Sequence, residues 1–496
     1  MAYLETVPKT ERKVIGQFFT PLSIAEYMGG LSFRCGEKIS ILDPGAGSGL
    51  LSAALIDRLV CVGVKYIELD LYENNEKILP LLNDHFVYIK DELAKLGVAL
   101  SFRIIGKNFI EENQFAWTGM LPGEKYDIVI SNPPYKKIGK DALEARVMSD
   151  IVYGQPNLYF LFMAMGARLL RNGGEFIYIV PRSFSSGLYF TAFRKWFLSI
   201  MRITNLHLFT SREAVGGKHD SVLQETIILR AEKKKSIQQS IVLTESGDEI
   251  CANTVNRYSV DYNTCVDSGD NAFLFFPICG ADAHVLDFVN HWPATLPKLG
   301  YRLKTGIVVD FRETEWMCTE ENEATIPLLW ACNFDGSRIR FPASSTGKPQ
   351  YLVDAPSTKR LQMNAGNYIL LKRFTAKEER RRLQCALLFR DDFSGYNSIS
   401  TENHLNFIVK MNGDMQKEEM YGLFAVLNSR YLERYFRILN GSTQVNANEI
   451  NSIPFPSLSD LLQIGKKAML YPEPDEALCD ALLEEQFIPA AARAII

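Results

Sequence analysis

Asn132, Pro133, Pro134 and Tyr135 end an apolar run that begins at Tyr126, and their types set up a particular chemical surface. Proline after Asn132 drives that residue toward an extended backbone, and two successive prolines fix the chain while removing two N–H donors. What the turn presents is acceptors. The Asn132 side-chain oxygen and the Pro133 carbonyl can together take both protons of an exocyclic amino group, and the Tyr135 ring can lie on a planar base. The turn follows a fourth apolar strand, at the carboxyl edge where open α/β sheets place their ligands.

A second constellation lies upstream. Ile41 to Gly49 reads Ile-Leu-Asp-Pro-Gly-Ala-Gly-Ser-Gly, so a strand, Asp43 and the three glycines Gly45, Gly47 and Gly49 lead straight into a helix starting at Leu50. Such a turn lets a ligand approach bare backbone at a helix N-terminus, as dinucleotide sites do. Glu73, 24 residues after Gly49 at the end of the next strand, is placed to take the two hydroxyls of a ribose. The pair points to an adenosine-nucleoside site.

These motifs need a scaffold, and the first half of the chain supplies one. Apolar, β-branched runs at 39–43, 66–73, 99–105, 126–131, 175–180, 203–209 and 223–230 alternate with helical patterns. Seven strands separated by helices predict an α/β, doubly wound sheet. A polar run at 232–240 marks the expected boundary. Beyond it, strand-like pieces at 306–311 and 368–372 and helices at 377–388 and 418–439 predict a separate α+β domain, and the residues after Pro456 predict one or two acidic helices.

Length and composition agree. At ~100–200 residues per domain, 496 residues make two or three domains. The longest apolar run, from Leu158 to Ala167, stops at Arg168, short of the ~18 residues of a membrane span. No signal peptide is read at the N-terminus, so a cytoplasmic protein without membrane partners is expected. The nine cysteines show no CxxC pair and no His at ligand spacing, which predicts reduced packing residues and no metal site. The net charge is only −4, but residues 338–390 hold twelve basic side chains against three acidic ones, a local +9, whereas residues 458–496 hold three basic against seven acidic. The first segment suits a phosphate backbone and the second does not.

With these motifs the chain resembles the gamma-class, TaqI-like adenine-N6 DNA methyltransferases of restriction-modification systems. Asn-Pro-Pro-Tyr matches their catalytic motif, and Gly16-Gln17-Phe18-Phe19-Thr20-Pro21 their N-terminal cofactor motif. Asn403-His404-Leu405-Asn406, the stretch from Asn440 to Ala447, Leu371-Lys372-Arg373-Phe374 and Ile453-Pro454-Phe455-Pro456 match signatures of their target-recognition domain. The resemblance implies a Rossmann-like catalytic domain at 1–235 that binds S-adenosylmethionine, a DNA target-recognition domain at 236–456 and a helical tail at 457–496. It implies that Thr20 and Pro21 neighbour the methionine part, that Asp43, Gly45, Gly47 and Gly49 cradle it, and that Glu73 holds the ribose. The adenine-contacting Asp-Phe of the family reads Asn108-Phe109 here, so an uncharged Asn oxygen is expected to accept from the cofactor's amino group. The family's base-packing Phe has no match at Val215-Gly216-Gly217-Lys218-His219. Lys372, Arg373, Gln444 and Asn446 are the DNA contacts this implies, and the basic segment adds Arg380, Arg381 and Arg382 as expected phosphate contacts.

The implied reaction is methyl transfer to N6 of an extruded adenine in duplex DNA by direct in-line displacement, helped chiefly by orientation and calling for neither a metal nor a strong base. Protein-glutamine methylation also uses this tetrapeptide but gives no reason for the +9 segment. RNA adenine methylation and a catalytically silent DNA-binding subunit stay open. A restriction endonuclease, if one acts with the chain, is expected to be a separate protein.

Overall fold

The computed structural model describes residues 20–209, 225–234, 239–247, 256–343, 346–376 and 378–488. These fall into two compact units divided after Cys279.

In the first unit the expected strands form. After α1 (Leu22–Gly30) come β1 (Lys38–Asp43), α2 (Leu50–Cys61), β2 (Tyr66–Tyr72), α3 (Leu79–Lys95), β3 (Ala99–Ile105), α4 (Phe109–Glu112) and β4 (Tyr126–Ser131). They continue as α5 (Leu143–Val147), α6 (Leu158–Leu169), β5 (Leu170–Pro181), α7 (Thr191–Ile200), β6 (Met201–Phe209), β7 (Thr226–Lys233), β8 (Ser240–Ser246) and β9 (Asn256–Asp261). The sheet order is β3-β2-β1-β4-β5-β7-β6-β8-β9. Strands β3 through β5 run parallel and β7 is antiparallel to both its neighbours.

Alternation along each central strand builds two cores, one per face, because parallel strands covered by helices bury both sides. Ile128, Ile130, Ile177 and Ile179 join Ile39 and Ile41 under α2 and α3. Val129, Phe176, Tyr178 and Val180 face the other way, against α6. That helix is the apolar run noted in the sequence; ten of its twelve residues are buried, so it is a core helix.

The sheet does not end where the sequence placed the domain boundary. β8 pairs parallel with β6, and β9 pairs with β8, so nine strands rather than seven belong to it and the boundary at 235 falls inside it. At the start of the lysine-rich run Lys233 ends β7 and donates its ammonium to the Leu170 carbonyl at 2.6 Å.

The second unit holds a six-stranded sheet built around Leu405–Lys410, Tyr368–Lys372 and Cys385–Leu388, and a five-stranded one around Thr325–Leu329 and Ser398–Thr401. Three expectations are corrected there. In place of the basic helix at 377–388, residues 378–384 form turns and lead into the strand Cys385–Leu388, whose apolar residues are all buried. The helix at 418–439 is two helices, Lys417–Leu427 and Arg430–Leu439, separated where Ser429 turns its hydroxyl onto the Leu432 N–H as an N-cap. The stretch 306–311 makes an isolated bridge, from Val308 to Glu402, in place of a strand. The last segment forms two helices as expected, Leu458–Ala468 and Glu476–Phe487, but they are no appendage. Gly465 lies so close to Lys417–Leu427 that a Cβ there would sit 1.8 Å from the Glu418 carbonyl oxygen.

Eight cysteines among the described residues are free, and Cys35, Cys61 and Cys332 are exposed rather than packed. Among the described residues, no helix is long and apolar enough to cross a membrane.

Candidate active site

The chain passes from β1 to β2 on one side and returns to place β4 on the other, so the carboxyl ends of β1 and β4 open the crevice where such sheets bind ligands. Both motifs meet there. The glycine turn follows β1 and Asn132 follows β4.

The turn is built from beneath. Asp43 is fully buried; its Oδ2 accepts from Ser52 Oγ at 2.8 Å and its Oδ1 from the Gly45 N–H at 3.3 Å. Burial pushes its carboxyl up to about 7. Gly47 and Gly49 have φ of 53° and 79°, the left-handed region that favours glycine, and a Cβ on Gly49 would sit 2.5 Å from the Phe86 ring. Gly45 and Gly47 line a cavity of about 290 Å³, whereas Asp43 and Gly49 do not. The expected cradle therefore divides into two residues that line the cavity and two that shape the turn.

Glu73 lines this cavity beside the turn. Its Oε2 accepts from the Gly47 N–H at 3.0 Å and its Oε1 from the Asn75 N–H at 2.8 Å, which fixes the carboxylate, and burial raises its pKa. A carboxylate held against the glycine turn, on the wall of the same cavity, fits the ribose of S-adenosylmethionine.

Asn108 also lines the cavity, but not in the expected role. Its Oδ1 caps α4, accepting from the N–H groups of Ile110 and Glu111 at 3.0 and 3.2 Å, so both lone pairs are used. Its Nδ2 donates to Glu144 Oε1 at 2.7 Å. Phe109 is buried between Tyr72 and Phe162, with ring centroids 5.0 and 5.2 Å away, and lines the same cavity.

At the other end, Asn132 and Pro134 line the same cavity. Asn132 Nδ2 donates to Thr20 Oγ1 at 3.1 Å, which joins the first described residue to the Asn-Pro-Pro-Tyr turn. Pro133 is buried, and Pro21 occupies the N-cap position of α1. Tyr135 donates its hydroxyl to the Ile179 carbonyl at 3.0 Å, and its ring meets Tyr159 edge-on at 6.3 Å. Burial pushes that hydroxyl far above its ordinary pKa, so it anchors the ring as a neutral donor. Gly16 to Phe19 and Val215 to His219 lie outside the described residues.

In the second unit the implied DNA contacts separate. Arg373 and Gln444 come together, with Arg373 Nη2 3.5 Å from Gln444 Oε1 beside the exposed Phe374. Lys372 lies over the Phe334 ring at 5.4 Å, and Asn446 precedes the helix Ala447–Ser452. The arginine triplet does not form a phosphate-binding face. Arg382 is 2% exposed and donates to Thr375 Oγ1, Asn440 Oδ1 and the Ser442 carbonyl at 3.0, 3.2 and 2.7 Å. Arg381 is mostly buried against the Leu427 carbonyl and pairs with Glu476 at 3.3 Å. Arg380 alone is exposed, and it too reaches Glu476, at 3.1 Å. The local charge misled because its partners lie outside the segment: Glu313 answers Arg360 and Asp414 answers Arg390.

The sequence reading missed Lys136, Ile138, Glu144, Leu158 and Phe162, all on the cavity wall. Leu158 and Phe162 sit four apart on α6, a spacing visible in the sequence. Lys136 and Ile138 are placed by backbone bonds to the segment before α6, Leu158 N–H to the Lys136 carbonyl and Ile138 N–H to the Pro156 carbonyl, which no local pattern announces.

The cavity thus lies at the switch point of a doubly wound sheet, with an amide-bearing turn at its rim, where such sheets bind their ligands. Residues 66–215 match the Eco57I restriction-modification methylase family. The chain is 32% identical over 481 residues to the Type II methyltransferase M.BsuBI of Bacillus subtilis, spanning 93% of each chain. It is 31% identical over 467 residues to the Type II methyltransferase M.PstI of Providencia stuartii, spanning 93% of this chain and 91% of that one. Among solved structures, the type IIG restriction endonuclease BpuSI aligns with a TM-score of 0.47 at 13% identity, covering 99% of this chain and 66% of that one. The chain belongs to the Type II methyltransferases of restriction-modification systems, and its cofactor is S-adenosylmethionine.

Proposed function

We propose that this chain methylates the N6 amino group of an adenine extruded from a short recognition site in duplex DNA, in the cytoplasm, as the modification partner of a separate restriction endonuclease. The observation that carries this reading is that Asn132 lines the same cavity as Gly45 and Gly47, so a group held by its amide lies next to a group held by the turn.

S-adenosylmethionine, when bound, supplies an electrophilic methyl group on a sulfonium. The remaining work belongs to the chain. Gly45, Gly47 and Glu73 fix the donor end. The Asn132 side-chain oxygen accepts a hydrogen bond from the adenine amino group, disfavouring the planar nitrogen whose lone pair is delocalised into the ring and aiming that lone pair at the donor, a gain of proximity and orientation; the methylated nitrogen then sheds its extra proton to water. Tyr135, anchored on Ile179, offers a ring face that offsets part of the few kcal/mol of unstacking. Arg373 and Gln444, side by side in the second unit, supply donors and an acceptor for base edges, with phosphate contacts setting the register.

Single-molecule sequencing of DNA from cells expressing the chain tests this directly. N6-methyladenine confined to one short motif is expected; unmodified DNA from cells holding folded protein would sink the reading.

A further inference from the structure

The family's adenine-contacting carboxylate is absent at position 108, and the amide that replaces it has spent its oxygen on the α4 N-terminus. The cavity wall nevertheless carries a carboxylate at that end. Glu144, in the first turn of α5, lines the cavity beside Asn108, and Asn108 Nδ2 donates to Glu144 Oε1 at 2.7 Å. That bond orients the carboxylate. Among the described residues Glu144 Oε2 makes no hydrogen bond. Two lysines line this wall: Lys107 is engaged by Glu112 at 2.9 Å, and among the described residues neither Lys107 nor Lys136 pairs with Glu144.

Resting on the reading of this cavity as the S-adenosylmethionine site, we propose that Glu144 is the residue that recognises the cofactor's adenine, accepting its exocyclic amino group on Oε2, with Asn108 as the positioning residue that holds Glu144. With Asn108 holding Oε1, the pair leaves one carboxylate acceptor on the cavity wall. A carboxylate there accepts only, so it selects an amino group at the purine 6-position over a carbonyl oxygen.

Glu144→Gln gives a sharp test because it keeps the shape and reverses one atom. The oxygen of the substituted amide must still accept from Asn108 Nδ2, so its NH₂ takes the place of Oε2 and presents a donor where the wild type presents an acceptor. Calorimetry on the full chain measures Kd for S-adenosylhomocysteine and for S-inosylhomocysteine, which carries a carbonyl at the 6-position, with circular dichroism as the check on folding. Wild type is expected to prefer the adenosyl compound, and Glu144→Gln to lower that preference by about 10-fold or more, the size of one charge-assisted hydrogen bond lost. Glu144→Ala is expected to weaken adenosyl binding without strengthening inosyl binding. A preference unchanged within about twofold in folded Glu144→Gln would overturn the assignment while leaving the cofactor site intact. Failure of folded wild type to bind S-adenosylhomocysteine would overturn the cavity reading and the assignment with it.

Discussion

Thr20 Oγ1 accepts a hydrogen bond from Asn132 Nδ2 at 3.1 Å, across 112 residues of chain. An asparagine amide can turn either end toward a substrate, and only one end is an acceptor. By taking the NH₂ end, Thr20 commits Asn132 to present its oxygen. Thr20→Val removes the acceptor at matched shape and is expected to cut single-turnover methylation by about 10- to 100-fold, the scale of a misplaced reacting group. Thr20→Ser should stay near wild type, with cofactor Kd little changed in both. A near-normal rate in Thr20→Val beside an impaired Thr20→Ser would put the effect in the methyl group rather than the hydroxyl.

Asn132 and Tyr135 should fail in different ways. Asn132→Ala removes an interaction made to the reacting nitrogen, so turnover should collapse while DNA and cofactor binding hold. Tyr135→Ala gives up base stacking worth ~1–3 kcal/mol and should weaken the extruded state as well as the rate. Tyr135→Phe keeps the ring but loses the anchor to the Ile179 carbonyl and should fall between. Fluorescence of 2-aminopurine at the target position, read beside single-turnover rates, separates the three; a normal rate in Asn132→Ala removes it from the chemistry.

Asp43 makes the stability of the first unit depend on pH. Burial raises its carboxyl from 3.8 to about 7, so between these values the folded chain holds a proton that the unfolded chain has released. Stability contributed by this site therefore falls as pH rises through that window and levels off above it. Asp43→Asn carries no such penalty. Thermal melts of the two proteins without cofactor should show the variant gaining on wild type from pH 4 to pH 7 and then holding its lead. A difference that stays constant with pH would show that Asp43 titrates at its ordinary value.

Much of this site was legible because its geometry is local. Asn-Pro-Pro-Tyr and the glycine turn each declare their backbone within nine residues, and the strand pattern around them fixes which sheet edge they share. Glu144 was invisible because its part depends on Asn108 from another loop, and nothing near either residue records the pairing. Arg382 was misjudged for the same reason reversed: a run of three arginines looks solvated in one dimension, while the acceptors that bury one of them come from Thr375, Asn440 and Ser442. The position of a strand such as Cys385–Leu388 beneath a charged turn is likewise set by the sheet it joins, which overrides the helical appearance of the preceding residues.

The arginine triplet yields the last prediction. Arg382 is buried and satisfies three acceptors at once, so Arg382→Met should strand those groups and cost about 2–4 kcal/mol of stability, lowering Tm without flattening the salt dependence of DNA binding in protein that remains folded. Arg380 is the converse. Its side chain is 87% exposed and pairs with Glu476, so Arg380→Ala should leave Tm nearly unchanged and lower the salt slope by at most about one, the value of a single phosphate contact. The measurement is a thermal melt together with DNA affinity at four salt concentrations for each variant. A folded Arg382→Met protein with unaltered Tm and a flattened salt slope would mean that this guanidinium reaches phosphate, and the triplet would return to the DNA-binding face from which the burial of Arg382 removes it.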